Sequence, residues 1–208
     1  MKKLYIVGAG GFGREVHAWA SQHPDCSRLW SVAGFLDDNA SALASFGDFA
    51  RVLPLTGHAV EAAAVYVCGL GKPELKEKLL GPLLAAGADF PPFVDRSARL
   101  GARVRLGRGV VLCPGVVVTT DAAIGDFVMI NLNSTVGHDA AIGDWTTLSA
   151  QCDVTGGARV GRRCFLGSRA TVIPGKSVGD RTVVAAGSVV MTDLPADVLA
   201  AGSPARAL

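Results

Sequence analysis

An aliphatic residue recurs at every sixth position along nearly half of this chain, from Val94 to Val190. No polar residue and no insertion interrupts the column, and a period of this kind indicates a repeat architecture rather than an ordinary globular domain. The column consists of Val94, Leu100, Leu106, Leu112, Val118, Ile124, Ile130, Val136, Ile142, Leu148, Val154, Val160, Leu166, Val172, Val178, Val184 and Val190.

Small side chains and glycines accompany the aliphatic column. The residue two positions before each aliphatic is mostly Ala, Val, Ser, Thr or Cys, with Lys176 as the large exception, and the residue after it is often Gly. An aliphatic at the centre of a coil and a small residue near each corner permit a triangular cross-section, and glycine relaxes the backbone at the turns. Three hexapeptides then make one coil, so residues eighteen positions apart lie one rung apart, about 4.8 Å. The pattern predicts a parallel β-helix of roughly five coils, which closes near Val190 and is followed by a short tail.

Composition excludes several classes of partner. The 208 residues are 50% hydrophobic and 18% charged, with a formal net charge of +2 and no basic cluster. The sequence therefore lacks the basic patch that binding to nucleic acid or to an anionic membrane surface would require. The basic start at Lys2 and Lys3 precedes an apolar run too short for a signal peptide or a membrane span, so we expect a cytoplasmic protein.

A smaller α/β domain is predicted before the repeat. Strands are indicated over residues 3–8, 31–36 and 64–68, and helices over 14–22 and 73–86. Pro91 and Pro92 mark the boundary, which gives a domain over residues 1–90 and a β-helix domain over residues 91–208.

The first strand runs into a glycine loop. Gly8, Gly10 and Gly13 fit the pattern GxGxxG, and Asp37 follows at the spacing of a ribose contact. Only about ninety residues precede the repeat, which is room for one mononucleotide-binding half but not for the two halves of a dinucleotide site. Backbone N–H groups at a helix start can bind a phosphate, so the loop favours a nucleotide or nucleotide sugar. A purely structural turn is the alternative.

One histidine of the four lies in the repeat. His138 falls two residues after the inward-facing Val136, on a turn where its side chain is expected to leave the core, and Asp139 follows it. A neutral imidazole can take the proton that an attacking amine loses, and a carboxylate can orient the ring. A surface histidine without a role is the alternative interpretation.

Metal and thiol chemistry are not favoured. The γ-class carbonic anhydrases build a zinc site on a β-helix from three histidines, whereas this repeat supplies one. Five cysteines occur without a CxxC pair, and Cys152 and Cys164 fall in the small-residue column, where thiols are expected to act as apolar filling. We therefore expect no metal site.

Taken together, the glycine loop, the segment Phe35 to Asp38, the loop Gly69 to Lys72 and the uninterrupted repeat resemble the bacterial sialic acid O-acetyltransferase family. The N-acetyltransferases of nucleotide-linked 4-amino-4,6-dideoxy sugars belong to the same group. The resemblance covers nearly the whole chain. It implies a left-handed β-helix, a homotrimer with active sites between subunits, and acetyl-CoA as co-substrate.

The resemblance also implies roles for individual residues. His138 matches the catalytic base, and Asp139 stands where relatives often carry Glu. The sugar nucleotide is expected at the first-domain positions Ala9, Gly10, Gly11, Asp37, Asp38, Gly69, Leu70 and Gly71. Acetyl-CoA is expected at Thr147, Ser168 and Ala186, and Arg206 in the tail could meet a CoA phosphate.

The sequence thus predicts transfer of acetyl from acetyl-CoA to the amine of a nucleotide-linked 4-amino-4,6-dideoxy sugar. We expect direct attack on the thioester, because no recognised motif places a serine or cysteine nucleophile beside His138. An O-acetyltransferase of sialic acid or a related sugar is one alternative, and a non-catalytic nucleotide-sugar-binding trimer is another. Phe12 occupies a position where some relatives that use UDP-sugars have His, so the nucleotide is left open.

Overall fold

The chain forms two compact units. The structure, a computed structural model, describes residues 1–47 and 50–208. The first unit comprises residues 1–71 and 75–91, and the second comprises residues 72–74 and 92–208. No helix in the described part of the chain is long and apolar enough to cross a membrane.

The first unit is built on a parallel sheet of four strands in the order β3-β2-β1-β4. Its strands are Lys2–Val7 (β1), Trp30–Leu36 (β2), Val52–Leu53 (β3) and Ala64–Cys68 (β4). The last four residues of β1 and all of β4 are buried, and their continuous apolar composition is typical of parallel strands that are covered on both faces. Strands β1, β2 and β4 confirm the three strands predicted from the sequence, whereas the short strand β3 was not predicted.

Two helices accompany this sheet. Helix α1 is Gly11–Gln22 and helix α2 is Pro73–Ala85, and a short 3₁₀ turn spans Ala44–Phe46. Helix α1 begins three residues earlier than its apolar pattern predicts, inside the glycine loop, with Gly10 as its N-cap. The backbone N–H groups of Gly11, Phe12 and Gly13 therefore belong to the first turn of a helix, where they have no intrahelical acceptor.

The second unit is a parallel β-helix of three faces, as predicted from the repeat. The first face consists of Phe93–Val94 (β5), Val111–Leu112 (β8), Met129–Ile130 (β11), Thr147–Leu148 (β14), Phe165–Leu166 (β17) and Val183–Val184 (β20). The second consists of Arg99–Leu100 (β6), Val117–Val118 (β9), Thr135–Val136 (β12), Asp153–Val154 (β15), Thr171–Val172 (β18) and Val189–Val190 (β21). The third consists of Arg105–Leu106 (β7), Ala123–Ile124 (β10), Ala141–Ile142 (β13), Arg159–Val160 (β16) and Ser177–Val178 (β19).

The aliphatic column fills the centre of the coils. Every member from Leu112 to Val190 is buried, and the small-residue column is buried with it from Val110 to Ala170. Leu100, in the first coil, is 43% exposed, because it has no preceding rung of the helix to pack against. Each strand from β5 to β18 pairs with the strand eighteen residues further on, as Thr135 does with Asp153, so the register of these coils follows from the repeat.

The helix extends beyond Val190, where the sequence pattern predicted its end. Leu194 bridges to Val178 and is buried, and the strand Leu199–Gly202 (β22) pairs in parallel with β20. The last coil has sixteen residues instead of eighteen, as the pairing of Val183 with Leu199 shows. Two missing residues break the sequence period without ending the structure. The tail then forms the strand Ala205–Ala207 (β23), which pairs antiparallel with β22.

Candidate active site

His138 lies at the corner between the second and third faces of the β-helix. We call this corner the second corner. Its Nδ1 is 2.8 Å from Oδ2 of Asp139, and the two side chains are 67% and 68% exposed. Asp139 adopts φ of 60°, a left-handed conformation that Asp and Asn tolerate better than most residues. The turn therefore presents an imidazole and a carboxylate together outside the core.

The other ring nitrogen of His138 faces the next coil. A Cβ added to Gly156 would lie 2.5 Å from Nε2 and 2.7 Å from Cε1, so the imidazole extends over this glycine. When Nδ1–H donates to Asp139, Nε2 carries the lone pair that accepts a proton. Gly156 keeps open the space beside the nitrogen that would act as the base.

The residues expected to hold acetyl-CoA lie elsewhere on the coil. Ser168 and Ala186 are exposed and occupy equivalent positions on successive rungs of the first corner, between the first and second faces. Thr147 lies on the first face and is only 1% exposed, and Arg206 is exposed on β23. A single β-helix does not bring these residues together with His138, because the second face separates the two corners.

The glycines of the first unit divide into two groups. A Cβ at Gly13 would lie 2.0 Å from the carbonyl oxygen of Gly8, and one at Gly69 would lie 2.9 Å from Cα of Gly13. These two glycines allow the loops after β1 and β4 to pack closely on the start of α1. A Cβ at Gly10 would meet nothing within 4 Å, and one at Gly11 would meet only the Arg14 guanidinium at 3.9 Å. Gly10 and Gly11 thus border open space.

Leu70 has a packing role in the same loops. A Cβ at Gly8 would lie 2.5 Å from Cδ2 of Leu70, so this side chain covers the end of β1. The Gly69 amide donates to the carbonyl oxygen of Val7 at 2.8 Å and continues the pairing of β1 with β4. The expected substrate positions 9–11 and 69–71 therefore follow two neighbouring strands at the same edge of the sheet.

The two acids after β2 connect this edge to other loops. Asp37 accepts hydrogen bonds from the amides of Ala9, at 2.8 Å, and Asn39, at 2.9 Å. Asp38 accepts from the amides of Leu55 and Thr56 at 3.0 and 2.8 Å, and from the Thr56 hydroxyl at 2.7 Å. The Thr56 amide, the Thr56 hydroxyl and the Leu55 amide, in that order, lower the pKa of the Asp38 carboxyl.

Two small cavities border these acids. One, of about 220 Å³, is lined by Gly8, Leu36, Asp37, Asp38, Leu55 and Leu79. The other, of about 250 Å³, shares Asp38, Leu55 and Leu79 with it and is also lined by Thr56, Gly57, His58, Lys78, Pro82 and Leu83. The 55–58 loop and one side of α2 thus line cavities beside the predicted site. No sequence motif marks either segment, so the sequence did not point to them.

No group of three or more His, Cys, Asp or Glu residues that could hold a metal occurs within residues 1–47 and 50–208. The thiols of Cys152 and Cys164 are buried, and burial is the main cause that raises the pKa of each to about 11. They pack inside the coils and would remain protonated at neutral pH.

Comparisons with known proteins follow this division of the chain. Residues 3–82 match the family model of the PglD N-terminal domain, and residues 157–191 match that of the hexapeptide repeat of succinyl-transferase. No curated protein sequence matches the chain.

Solved structures match over the full length. The acetyltransferase domain of PglB from Neisseria gonorrhoeae is 24% identical with a TM-score of 0.89, and the match covers 100% of both chains. PerB from Caulobacter crescentus, solved with CoA and GDP-perosamine, is 32% identical with a TM-score of 0.85, over 100% of this chain and 98% of that one.

A third structure is a histidine-to-asparagine mutant of the perosamine N-acetyltransferase from Caulobacter crescentus, also with CoA and GDP-perosamine. It is 29% identical with a TM-score of 0.83, over 100% of this chain and 97% of that one. The N-terminal domain match, the hexapeptide repeat and the full-length similarity to PerB agree. The chain therefore belongs to the hexapeptide-repeat family of nucleotide-sugar acetyltransferases.

Proposed function

We propose that this protein transfers an acetyl group from acetyl-CoA to the amine of a nucleotide-linked 4-amino-4,6-dideoxy sugar, with His138 as the general base. The observation that carries the proposal is the 2.8 Å pairing of His138 Nδ1 with Asp139, at an exposed corner where Nε2 faces a glycine. The similarity to PerB, whose structure contains CoA and GDP-perosamine, supports the choice of co-substrate and acceptor.

The reaction needs a base to take a proton from the amine and an acid to return it to sulfur. As the sugar amine attacks the thioester carbonyl carbon, the C–N bond forms and one amine proton passes to His138 Nε2. The C–S bond then breaks, and the imidazolium returns this proton to the departing sulfur, so CoA leaves as the thiol and the neutral imidazole is restored. Asp139 accepts from Nδ1–H, fixes the tautomer and stabilises the imidazolium that results. No acyl-enzyme is required in this sequence.

The acceptor is assigned to the first unit. Gly10 and Gly11 border open space at the N-terminus of α1, where free amides and the helix dipole favour a phosphate. The cavities beside Asp37 and Asp38 continue from this edge and give room for the rest of the nucleotide sugar. Residues 1–90 would then select the acceptor, and residues 91–208 would perform the transfer.

We further propose that the active site forms between subunits of a homotrimer. The expected acetyl-CoA positions Ser168 and Ala186 lie on the first corner, whereas His138 lies on the second. Two copies packed side by side would bring the first corner of one copy to the second corner of its neighbour. Rotational symmetry is the usual way for identical chains to repeat such a contact.

The first prediction concerns the product. Purified protein incubated with acetyl-CoA and GDP-, UDP- or dTDP-linked 4-amino-4,6-dideoxy sugars should release CoA with at least one of them and form an acetylated sugar nucleotide. Mass spectrometry before and after hydroxylamine treatment identifies the bond, because hydroxylamine cleaves an ester and leaves an amide. A labile product would identify an O-acetyltransferase, and binding without CoA release would identify a sensor.

A further inference from the structure

The second corner carries a column of charged residues beneath His138. Arg103, Asp121 and Asp139 occupy the same position on three successive rungs and share φ values of 58°, 61° and 60°. Backbone hydrogen bonds fix this register: the Asp139 amide donates to the carbonyl oxygen of Thr120 at 3.2 Å, and the Asp121 amide donates to that of Ala102 at 3.0 Å. Successive carboxylates of the column are therefore about one rung, 4.8 Å, apart at the backbone.

Asp121 binds Arg103, the cation of this column. Arg103 donates through Nε to Asp121 Oδ1 at 2.5 Å and through Nη2 to Oδ2 at 2.7 Å, which is a bidentate pair. The Thr120 hydroxyl lies 3.0 Å from Oδ2 of the same carboxylate. The hydrogen bonds from Arg103, followed by that from Thr120, lower the pKa of Asp121. The positive charge of the nearby Arg105 lowers it further.

Arg103 is also within electrostatic reach of the catalytic pair. The hydrogen bonds to Asp121 are the main cause that raises the pKa of Arg103, and the charge of Asp139 contributes further. Two rungs, about 9.6 Å at the backbone, separate Arg103 from Asp139, a gap that an extended arginine and an aspartate can bridge together. Above the pair, the next rung carries Gly156 and Gly157, which have no side chain to compete.

We propose that Asp121 is a positioning residue for the acetyl transfer: it holds Arg103 and thereby leaves Asp139 free to orient His138. The inference rests on the proposed function of His138. Without the Asp121 carboxylate, Arg103 would gain by turning upward to Asp139, whose carboxylate would then leave Nδ1 of the imidazole. The imidazole would lose both its orientation and the charge that stabilises its protonated form.

A double-mutant cycle tests this arrangement. Asp121→Asn should lower kcat by about 10- to 100-fold, the range found when a group that orients a metal-bound histidine is lost. Arg103→Gln alone should have little effect on kcat, because Asp139 keeps its contact with His138. The double variant Asp121→Asn/Arg103→Gln should recover most of the lost activity, since no freed guanidinium remains. Arg103→Lys in place of Arg103→Gln should not restore it.

The pH profile of kcat/KM is a second readout, which a merely structural role would leave unmoved. The charged groups at and beside this corner are Asp139, Asp121, Arg103, Arg105, Asp153 and Arg159, and the last three stay constant throughout. In Asp121→Asn the acidic limb should move to lower pH, because the imidazolium loses its carboxylate partner. In Arg103→Gln it should move to higher pH, because one positive charge is removed. In the double variant the acidic limb should lie near that of the wild-type protein, because one charge of each sign has been removed.

The pair Arg108 and Asp126 provides the matched control. It has the same one-rung spacing on another corner, with Arg108 Nε 3.0 Å from Asp126 Oδ2. Asp126→Asn and Arg108→Gln, singly and together, should leave kcat and the acidic limb unchanged. Thermal midpoints of all variants show whether each one remains folded.

The outcomes separate the two hypotheses. If His138→Ala is inactive but Asp121→Asn keeps wild-type kcat and pH profile, the positioning role is wrong and the general base stands. The positioning role is also wrong if the double variant is no more active than Asp121→Asn. If His138→Ala turns over like the wild-type protein, His138 is not the general base, and the positioning role of Asp121 is wrong as well.

Discussion

At the scale of single residues, the proposed role of His138 depends on the open space above the imidazole. Gly156 occupies the same corner position as Thr120 and His138 on the two preceding rungs, so the turn does not demand glycine there. Nor does its φ lie in the left-handed region. The physical reason for glycine is that a Cβ at this position would lie 2.5 Å from Nε2, closer than two atoms that are not bonded to each other can approach.

We therefore predict that Gly156→Ala displaces the imidazole and lowers kcat by about 100-fold, the cost of misplacing a catalytic group by about 1 Å. Arg162→Ala, at the equivalent position on the third corner, serves as the control and should leave kcat unchanged. Binding of acetyl-CoA and the thermal midpoint should change little in either variant. Wild-type kcat in Gly156→Ala would show that Nε2 does not need this space.

His138 and Asp139 could be proposed as a catalytic pair from the sequence because they are adjacent and follow an inward aliphatic by a fixed offset. Its neighbours on other rungs were not identified. Arg103, Asp121 and Gly156 are recognised only when residues eighteen positions apart are placed side by side and the direction of the ring is known. Local order in the sequence thus predicts a candidate base but not the residues on other rungs that we propose to position it.

At the scale of elements, Asp38 holds the 55–58 loop to the sheet edge. Its carboxylate accepts three hydrogen bonds from Leu55 and Thr56, and these lower its pKa. A carboxyl whose pKa is depressed in the folded protein contributes stability above its unfolded pKa and loses it as the pH falls through the folded value. The loop should therefore be held near neutral pH and released only below 3.8, the ordinary pKa of an aspartate.

We predict that Asp38→Ala opens this loop at neutral pH and raises the KM for the sugar nucleotide without changing acetyl-CoA binding. Hydrogen exchange at the Leu55 and Thr56 amides measures the opening directly. In the wild-type protein their protection should fall as the pH drops below about 4, whereas the variant should lack that dependence. Equal protection of both amides in the two proteins would contradict the role assigned to Asp38.

The elements themselves were predictable to different degrees. The β-helix followed from one column of residues because every rung repeats the same packing. The strand β3 was not predicted, because two residues, Val52 and Leu53, carry no periodicity. The last coil was missed because the loss of two residues breaks the period while Leu194 still reaches the core. The start of α1 was placed too late, since glycines are weak helix formers and gave no signal.

At the scale of the whole molecule, the proposal divides acceptor recognition from acetyl transfer. In a β-helix each rung packs mainly on its neighbours, so coils can fold without a preceding domain. The residues that bind acetyl-CoA and assemble the trimer would all lie in the repeat. A second copy of the chain, rather than the first unit, would complete each active site.

We predict that a fragment of residues 91–208 folds, forms a trimer and binds acetyl-CoA but not the sugar nucleotide. Sedimentation equilibrium gives the oligomeric state, and calorimetric titration of both ligands gives the affinities. The full chain is the control and should be trimeric and bind both. A monomeric fragment with a trimeric full chain would assign assembly to residues 1–90, and undiminished sugar-nucleotide affinity in the fragment would place the acceptor on the β-helix.

The most direct test of the account is the turnover of His138→Ala. With saturating acetyl-CoA and the accepted sugar nucleotide, its kcat should fall by about 10²–10⁴, the contribution expected of a general base, while both ligands still bind. Asp139→Asn should lose less and should alter the acidic limb of the pH profile. Turnover of His138→Ala at the wild-type rate would contradict the assignment of His138 and, with it, the mechanism proposed for this corner of the β-helix.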